Sequence, residues 1–553
     1  MQIEGHAGTA AVAVAAAHGV TTQFTLSGAH VFPMYDGAVK ADPPMRLLDV
    51  RHEQTAVFAA EATGKLTRTP GLAVLTAGPG VTNGVSAIAQ AHYSGSPLVV
   101  IGGRAPANRW GSGSLQELDH PPIVRTVTKH ADTILAADEV LAGVDHAFHT
   151  ARSAHRGPVF LDIGMDAFFA PASGSVPEPR DDDARAVDTD TVDRIAKLIA
   201  AAERPVVVLG TDVWADHAEH AALAFVEATG IPALTNGMGR GVIPGGHRQL
   251  VTKARGAAFT QADLVVVAGT PLDFRLGYGV FGGKDGAAPA QVVHLADSES
   301  QLSHHASPVA SLAGPLAAVF ELLLAAVERA RAAIPGMRDW ASWSAGLADQ
   351  AAAAAQRDQT LLTSAADPIH PARIYGELLP RLADDAVVIG DGGDFVSFAG
   401  KFVEPKQPGC WLDPGPYGCL GAGLGAAIAA RIARPSAQVV TLLGDGAAGF
   451  SLMDVDTLVR HNLPVVMVVG NNAAWGLEKG PMQLLYGYDV IADLAPATSY
   501  DGVVRALGGA GESVTDPNEI GPALDRAFAS GVPYLVNVMT DVNAAYPRAT
   551  FGI

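Results

Sequence analysis

Residues 438–472 read QVVTLLGDGAAGFSLMDVDTLVRHNLPVVMVVGNN, and this stretch alone sets the fold class. Two apolar runs rich in β-branched residues, Val439–Leu443 and Val465–Val469, flank a longer segment. Continuous apolar runs are typical of strands buried on both faces, and a helix between two such strands makes them parallel. The stretch therefore predicts one βαβ unit of a parallel sheet, a unit that takes about 30 residues.

The same alternation of short apolar runs and longer Ala- and Leu-rich stretches recurs along the whole chain. It predicts the α/β class with three doubly wound parallel-sheet domains, at residues 1–170, 187–345 and 367–553. The breaks fall at the polar, Pro-rich stretch Pro171–Thr191 and around Arg357–Pro371. The remaining predicted strands are Thr22–Leu26, Leu47–Val50, Leu72–Thr76, Leu98–Ile101, Val159–Ile163, Val206–Leu209, Pro232–Thr235, Leu264–Ala268, Val292–Leu295, Val387–Ile389 and Tyr534–Val538.

Composition narrows the class of protein further. Of 553 residues 48% are apolar and 17% charged, so the chain can bury large cores and is not disordered as a whole. A net charge of −19 provides no basic footprint, which excludes a nucleic-acid partner. No apolar run reaches the roughly 18 residues of a membrane span. The two cysteines, Cys410 and Cys419, form no metal or disulfide pattern, and we expect a cytoplasmic protein.

Polar residues follow both strands of the opening stretch. Asp445 stands in Gly444-Asp445-Gly446, and Asn472 follows 27 residues later, so both fall at one edge of the sheet. Carboxylate and amide oxygens suit Mg²⁺, and the glycines with the following helix start suit an anion. Either motif alone is typical of a strand-end turn or a helix cap. The pair at this spacing predicts a magnesium ion bound together with a diphosphate.

A GDG followed by NN at this distance resembles the motif of thiamine-diphosphate (ThDP) enzymes. The resemblance covers nearly the whole chain, in the order pyrimidine-binding, middle and diphosphate-binding domain. It implies ThDP and Mg²⁺ as cofactors, with Asp445, the Asn472 side chain and the Ala474 carbonyl as metal ligands. The residues that it implies at the cofactor are Gly78, Pro79, Asn83, Gly393, Asp394, Phe395, Gly418, Leu420, Gly444, Gly446, Ala447, Asn472, Gly476 and Leu477.

Two of these motifs precede the metal motif in the chain. Thr76–Asn83 resembles the GPG-x-TN turn near the aminopyrimidine of acetolactate synthases. Leu420 stands where the family places a bulky apolar residue under the cofactor, which forces its bent shape. A leucine there is otherwise an ordinary core residue, and the surrounding motif favours the functional interpretation.

Glu53 follows a predicted strand in the sequence Arg51-His52-Glu53-Gln54. By itself a glutamate in a first helical turn is explained by the helix dipole. The resemblance implies that Glu53 contacts N1′ of the aminopyrimidine and shares a proton with it. The shared proton favours the imino tautomer, whose 4′ nitrogen can remove the C2 proton of the thiazolium. The resemblance also implies that the two ends of the cofactor bind different subunits. We therefore expect a homodimer or homotetramer with active sites at the subunit interface.

Several stretches favour acetolactate synthase within the family. They are Arg51–Ala56, Gly78–Asn83, Gly111–Asp119, Val127–Lys129, Asn236–Pro244 and Leu272–Arg275. The resemblance implies that Gln116 and Lys129 line the substrate pocket. It also implies decarboxylation of pyruvate, a 2-keto acid, and ligation of the product to a second carbonyl compound. With Glu53, these residues and His30 form the predicted catalytic set.

Other positions depart from that group and keep alternatives open. Leu115 replaces a phenylalanine, Thr252–Arg255 replaces a flavin-region loop, and His30 replaces a small residue at a strand tip. FAD therefore stays open beside ADP as a middle-domain ligand. The second hypothesis is a 2-hydroxyacyl-CoA lyase or oxalyl-CoA decarboxylase, which would act on an acyl-CoA substrate. The third is a non-catalytic cofactor-binding subunit, and the presence of both Glu53 and Asp445 argues against it.

Overall fold

The computed structural model describes residues 1–180, 185–283, 288–333 and 339–546. Within these ranges three parallel sheets of six, five and six strands form three α/β domains, as predicted from the sequence. The predicted strands are present to within two residues at most ends. None of the helices in the described ranges is long and apolar enough to cross a membrane.

The first domain has the strand order β3-β2-β4-β5-β7-β6, and β1 pairs antiparallel with β8 beside this sheet. Because β8 closes against β1, the domain extends past the predicted end at residue 170. Its strands are β1 (Gln2–His6), β2 (Thr22–Thr25), β3 (Arg46–Asp49), β4 (Gly71–Leu75), β5 (Leu98–Arg104), β6 (His130–Ile134), β7 (Pro158–Gly164) and β8 (Pro171–Ser175). Its helices are α1 (Ala7–Ala17), α2 (Phe32–Lys40), α3 (Glu53–Thr67), α4 (Pro79–Asn83), α5 (Val85–Tyr93), α6 (Pro121–Val124), α7 (Val140–Arg152) and α8 (Met165–Phe169).

The middle domain has the strand order β10-β9-β11-β12-β13. Its predicted end at residue 345 falls inside α14, whose Trp343 indole donates to the Pro205 carbonyl of the middle sheet at 3.0 Å. The strands are β9 (Pro205–Leu209), β10 (Ala233–Thr235), β11 (Leu264–Ala268), β12 (Gln291–Ala296) and β13 (Ala310–Ala313). The helices are α9 (Thr189–Ala201), α10 (Thr211–Ala215), α11 (Glu219–Thr229), α12 (Arg255–Gln261), α13 (Leu316–Ala332) and α14 (Ala341–Leu362).

The C-terminal domain has the strand order β15-β14-β16-β17-β19-β18, so β14, β16 and β17 are neighbours. The carboxyl ends of these three strands therefore lie side by side. The strands are β14 (Val387–Asp391), β15 (Trp411–Leu412), β16 (Val439–Gly444), β17 (Val466–Asn471), β18 (Ala510–Val514) and β19 (Tyr534–Met539). The helices are α15 (Ala372–Leu378), α16 (Asp394–Phe402), α17 (Ala422–Ala433), α18 (Asp445–Ser451), α19 (Val455–Arg460), α20 (Gly476–Tyr486), α21 (Tyr500–Ala506) and α22 (Ile520–Ala529).

The first and C-terminal domains pack against each other through α3 and α17. Both helices contribute to one continuous hydrophobic core. A Cβ added at Gly425 of α17 would lie 2.7 Å from the Phe58 Cβ of α3, so glycine permits this close approach. The helix that begins with Glu53 is therefore fixed directly on the domain that carries Asp445.

Candidate active site

The metal motif lies in a small cavity at the carboxyl ends of β14, β16 and β17. The cavity measures about 80 Å³. Its lining includes most of the residues that the resemblance implied for the diphosphate and the metal. They are Gly393, Asp394, Phe395, Leu420, Gly444, Asp445, Gly446, Ala447, Asn472, Ala474, Gly476 and Leu477.

Asp445 is the first residue of α18 and is almost fully buried. Its Oδ1 accepts a hydrogen bond from the Gly446 amide at 2.9 Å, while its buried Oδ2 has no hydrogen-bond partner among the described residues. Burial raises the pKa of this carboxyl to about 6, against backbone amides that lower it. An unpaired buried carboxylate oxygen is costly unless a cation meets it. The donor set at this position therefore fits a hard divalent metal.

Asn472 and Ala474 follow the neighbouring strand. The Asn472 side-chain oxygen accepts from the Ala474 amide at 3.1 Å, and this bond holds the turn beside Asp445. Ala473 between them adopts a φ of +55°, which turns the chain sharply at this point. The turn brings an amide side chain and main-chain groups to the same cavity as the carboxylate.

Glycines keep the cavity open to a ligand because side chains already close its walls. A Cβ added at Gly446 would lie 2.4 Å from the Trp475 ring, and one at Gly393 would lie 2.4 Å from Leu477. Gly418 has a φ of +73° and precedes Leu420, which lines the cavity. These positions allow main-chain amides to approach an anion closely.

Asp394 lines the cavity, and its side chain also has a structural contact. Both of its carboxylate oxygens accept from the Tyr546 amide, at 3.0 and 3.1 Å. Its side chain thus ties down the C-terminal segment, and an anionic diphosphate would be repelled by this carboxylate. The main chain of Gly393–Phe395 at the start of α16 stays the predicted diphosphate contact at this position.

Glu53 is the first residue of α3, and its side chain is buried. The Asn83 side-chain amide donates to Glu53 Oε2 at 2.9 Å. Asn83 ends α4, which starts at Pro79 directly after Gly78. The structure therefore brings together Glu53 and Asn83, two residues that the sequence analysis associated with the aminopyrimidine and that lie 30 positions apart.

His30 and Gln116 lie at the same edge of the first domain. His30 Nδ1 lies 3.1 Å from the Thr76 hydroxyl, at the start of the GPG turn. Burial lowers the pKa of His30, so its ring is neutral at neutral pH. Gln116 has a φ of +60°, and a Cβ added at Gly78 would lie 2.9 Å from the Gln116 Cβ. Leu115 beside it is exposed. This group of residues surrounds the Gly78 turn.

Lys129 contacts the end of α7 rather than the Gly78 turn. Its ammonium donates to the carbonyls of Thr150 and Ser153, at 2.6 and 2.7 Å, and to the Ser153 hydroxyl at 3.0 Å. These carbonyls end α7, where a cation is favourable. The ammonium is held at the end of this helix, and Lys129 also borders the large cavity described below, so its place at the substrate pocket stays a prediction.

Sequence reasoning missed Asp454, which lies nine residues after Asp445. Its buried carboxylate accepts from the Arg51 amide at 2.8 Å and the Thr55 hydroxyl at 2.6 Å, on either side of Glu53. Asp454 belongs to the C-terminal domain, so it anchors the start of α3 across the domain interface, next to the N-cap His52. A contact from a residue about 400 positions away leaves no local sequence signal.

A second, larger cavity of about 730 Å³ lies where the three domains meet. Its walls include Thr211, Gly237, Gly269 and Arg275 from the middle domain. Arg275 forms a bidentate pair with Asp273, and its carbonyl accepts from Arg255 at 2.6 Å. The volume is in the range of cavities that bind cofactors.

Comparison with known proteins agrees with this arrangement. Family models match residues 6–123, 192–323 and 391–538, and they describe the N-terminal TPP binding, central and C-terminal TPP binding domains of thiamine pyrophosphate enzymes. The chain is 49% identical over 548 residues to an acetolactate synthase large subunit of Mycobacterium tuberculosis, covering 98% of this chain and 97% of the relative. It is 32% identical to 2-hydroxyacyl-CoA lyase 2 of Homo sapiens, covering 97% of this chain and 90% of that protein.

These matches cover all three domains, and the residues of both motifs fall inside the matched ranges. The chain belongs to the family of thiamine-pyrophosphate-dependent enzymes.

Proposed function

We propose that this enzyme is a carboligase of the acetolactate synthase type. It takes two molecules of pyruvate and one proton and releases one molecule each of acetolactate and CO₂. The observation that carries the proposal is the 49% identity across nearly the whole chain to an acetolactate synthase large subunit, with Glu53 and Asp445 both in place. A non-catalytic subunit would need neither the proton-handling carboxyl of Glu53 nor the buried carboxylate of Asp445, and this chain carries both.

Magnesium and the diphosphate are assigned to the C-terminal cavity. Asp445 supplies its unpaired Oδ2, while the Asn472 side chain and the Ala474 carbonyl complete the protein ligands. Main-chain amides at the starts of α16 and α18 face the anion, where the helix dipoles favour negative charge. Leu420 in the wall of the same cavity gives the cofactor an apolar support.

Glu53 is assigned to the aminopyrimidine. Bound ThDP supplies a thiazolium carbon that becomes nucleophilic and accepts the electrons released with CO₂. Glu53 holds and returns the proton at N1′, and the Asn83 amide fixes its carboxylate through Oε2. The burial of Glu53 excludes water from this proton transfer.

His30 and Gln116 are assigned to the substrate side. His30 is neutral and buried, and contacts to the Thr76 hydroxyl and the Leu115 main chain hold its ring beside the GPG turn, where it would meet the substrate. Gln116 is held against Gly78 and offers an uncharged amide to the keto acid. Both lie in the loops around the GPG turn, on the same side as Glu53.

The large cavity is assigned to an adenine nucleotide. Its 730 Å³ accommodates a ligand of that size, and glycines at positions 237 and 269 line it. A flavin band in the absorption spectrum of the purified protein identifies FAD, and release of ADP on denaturation identifies a non-flavin nucleotide. We also propose that the enzyme works in the cytoplasm as a homodimer or homotetramer. Neighbouring chains then supply the two halves of each cofactor-binding site.

Two observations support a second candidate function. His30 stands where acetolactate synthases have a small residue, and the chain also matches 2-hydroxyacyl-CoA lyases over more than nine tenths of its length. A lyase would cleave a 2-hydroxyacyl-CoA to formyl-CoA and an aldehyde or ketone.

Substrate assays separate the two functions. Purified protein with ThDP, Mg²⁺ and pyruvate is expected to form CO₂ and acetolactate in equal amounts, and Glu53→Gln serves as the inactive control. Cleavage of a 2-hydroxyacyl-CoA without any turnover of pyruvate would transfer the assignment to the lyase reaction.

A further inference from the structure

Two fully buried titratable residues lie behind the Gly78 turn, and the function proposed above does not use them. His120 Nε2 accepts a hydrogen bond from the Gly78 amide at 2.9 Å. His120 Nδ1 lies 3.0 Å from Asp162 Oδ2. The same Asp162 oxygen accepts from Arg104 at 2.9 Å. Neither His120 nor Asp162 has any exposed surface.

The hydrogen bonds define which nitrogen of His120 carries the proton. The Gly78 amide can only donate, so Nε2 must be the unprotonated acceptor. Nδ1 then carries the proton and donates it to Asp162, which fixes the ring in this tautomer. A proton on Nε2 would place two N–H groups against each other at 2.9 Å. The order Asp162, His120, Gly78 is therefore a directed chain of hydrogen bonds, and Arg104 anchors its acidic end.

The chain of contacts continues from Gly78 to the proton-handling carboxyl. Gly78 has a φ of +61°, a region that favours glycine, and it directly precedes α4. Pro79, the next residue, has no amide hydrogen, so the Gly78 amide is the last donor before the helix. The far end of this five-residue helix is Asn83, whose amide holds Glu53 Oε2. A displacement of the turn thus moves the group that orients Glu53.

We propose that the buried Asp162–His120 pair is a positioning element: it fixes the Gly78 amide and, through α4, sets the Asn83 contact that orients Glu53 toward the aminopyrimidine. This inference rests on the role proposed for Glu53. It assigns His120 and Asp162 no contact with substrate or cofactor. It explains why a histidine, a carboxylate and an arginine are buried at a place where an apolar core would cost less.

The test compares two amide variants of His120 that differ in reach. His120→Gln can place its side-chain oxygen where Nε2 lies and accept from Gly78. His120→Asn is shorter, so it can keep the contact to Asp162 but leaves the Gly78 amide without an acceptor. Three measurements are made: amide hydrogen exchange of the Gly78 peptide in the cofactor-free protein, the Kd for ThDP with Mg²⁺, and the exchange rate of the C2 proton of bound ThDP.

His120→Asn is expected to speed amide exchange at Gly78 at least tenfold in the cofactor-free protein. It is expected to slow C2-proton exchange about tenfold or more, with the Kd for ThDP within threefold of wild type. His120→Gln is expected to show amide exchange at Gly78 and C2-proton exchange close to the wild-type rates. Equal behaviour of the two variants, or a loss of ThDP affinity that parallels the loss of exchange, would overturn the inference. Glu53→Gln is measured alongside as a control for the role of Glu53. Unchanged C2-proton exchange in Glu53→Gln would show that the Glu53 assignment itself is wrong, independently of the result for His120.

Discussion

Replacement of Asp454 by alanine tests whether the C-terminal domain positions the helix that carries Glu53. The change removes the carboxylate that accepts from the Arg51 amide at 2.8 Å and from the Thr55 hydroxyl at 2.6 Å. It leaves a short side chain in a buried place and does not touch Glu53 itself. Because both donors flank Glu53, the N-terminus of α3 loses its fixed position.

The size of the effect follows from what the donors lose. The Thr457 hydroxyl also donates to Asp454, at 3.0 Å, but it has a second acceptor in the Asp49 carbonyl at 3.4 Å. Thr55 is fully buried, so its unpaired hydroxyl costs about 1–3 kcal/mol. Arg51 is exposed, and its amide recovers a bond to water at little cost. Burial raises the pKa of Asp454, which means that the ionised carboxylate is itself disfavoured, and its removal offsets part of the loss. We expect the free energy of unfolding to fall by about 2 kcal/mol.

Urea denaturation followed by circular dichroism measures this loss, and the C2-proton exchange rate of bound ThDP measures its effect on Glu53. Asp456→Ala is the matched control, because Asp456 lies two residues away and makes partly exposed ion pairs to Arg460 and Arg51. Such pairs contribute about 0–1 kcal/mol. We expect Asp454→Ala to slow C2-proton exchange about tenfold and the control to leave it unchanged. Equal effects of the two variants on stability and exchange would refute the cross-domain role of Asp454.

Three further predictions concern single groups. Glu53→Gln is expected to slow C2-proton exchange of bound ThDP by at least about 100-fold with little change in the Kd for ThDP, because the amide cannot shuttle the proton; an unchanged rate would remove Glu53 from proton transfer. Asp445→Ala is expected to weaken Mg²⁺-dependent ThDP binding by more than about 100-fold in calorimetry, to the level of wild type without Mg²⁺, and wild-type affinity would refute the ligand assignment. Burial raises the pKa of Asp391 to about 7 from 3.8, so the folded protein binds this proton more tightly, and stability declines as the pH rises from about 4 to 7. Asp391→Asn is expected to flatten the pH dependence of the urea midpoint in that window, and an unaltered slope would contradict the raised pKa.

The fold could be predicted largely from the sequence because buried parallel strands have a strong apolar pattern. The strands that prediction missed are short or polar members, mostly at sheet edges, such as His130–Ile134 and Ala510–Val514. Their outer sides face solvent, so they lack the continuous apolar run of a central strand. The antiparallel pair of β1 and β8 was missed because its partners are far apart in sequence and alternate in burial.

In the candidate site, too, some residues could be predicted from the sequence and others could not. Asp445 and Asn472 could be predicted because they directly follow neighbouring strands, which fixes their place at the sheet edge. The acceptors that orient Glu53 were not predicted, because Asp454 and His120 act across distances that sequence spacing does not encode. The sequence did contain one signal for this buried pair. Asp162 lies inside the apolar strand β7, and a buried charge requires partners.

A hybrid dimer tests the central claim, that Glu53 of one chain and Asp445 of its neighbour serve one cofactor, most directly. A differently tagged Glu53→Gln chain and Asp445→Ala chain are mixed, and the heterodimer is purified. Whichever chains form each site, the hybrid binds one ThDP, at the site with an intact Asp445. If the halves come from neighbouring chains, that site also has an intact Glu53, and we predict C2-proton exchange at the wild-type rate. Exchange as slow as in the Glu53→Gln homodimer would contradict the claim and place both halves on the same chain.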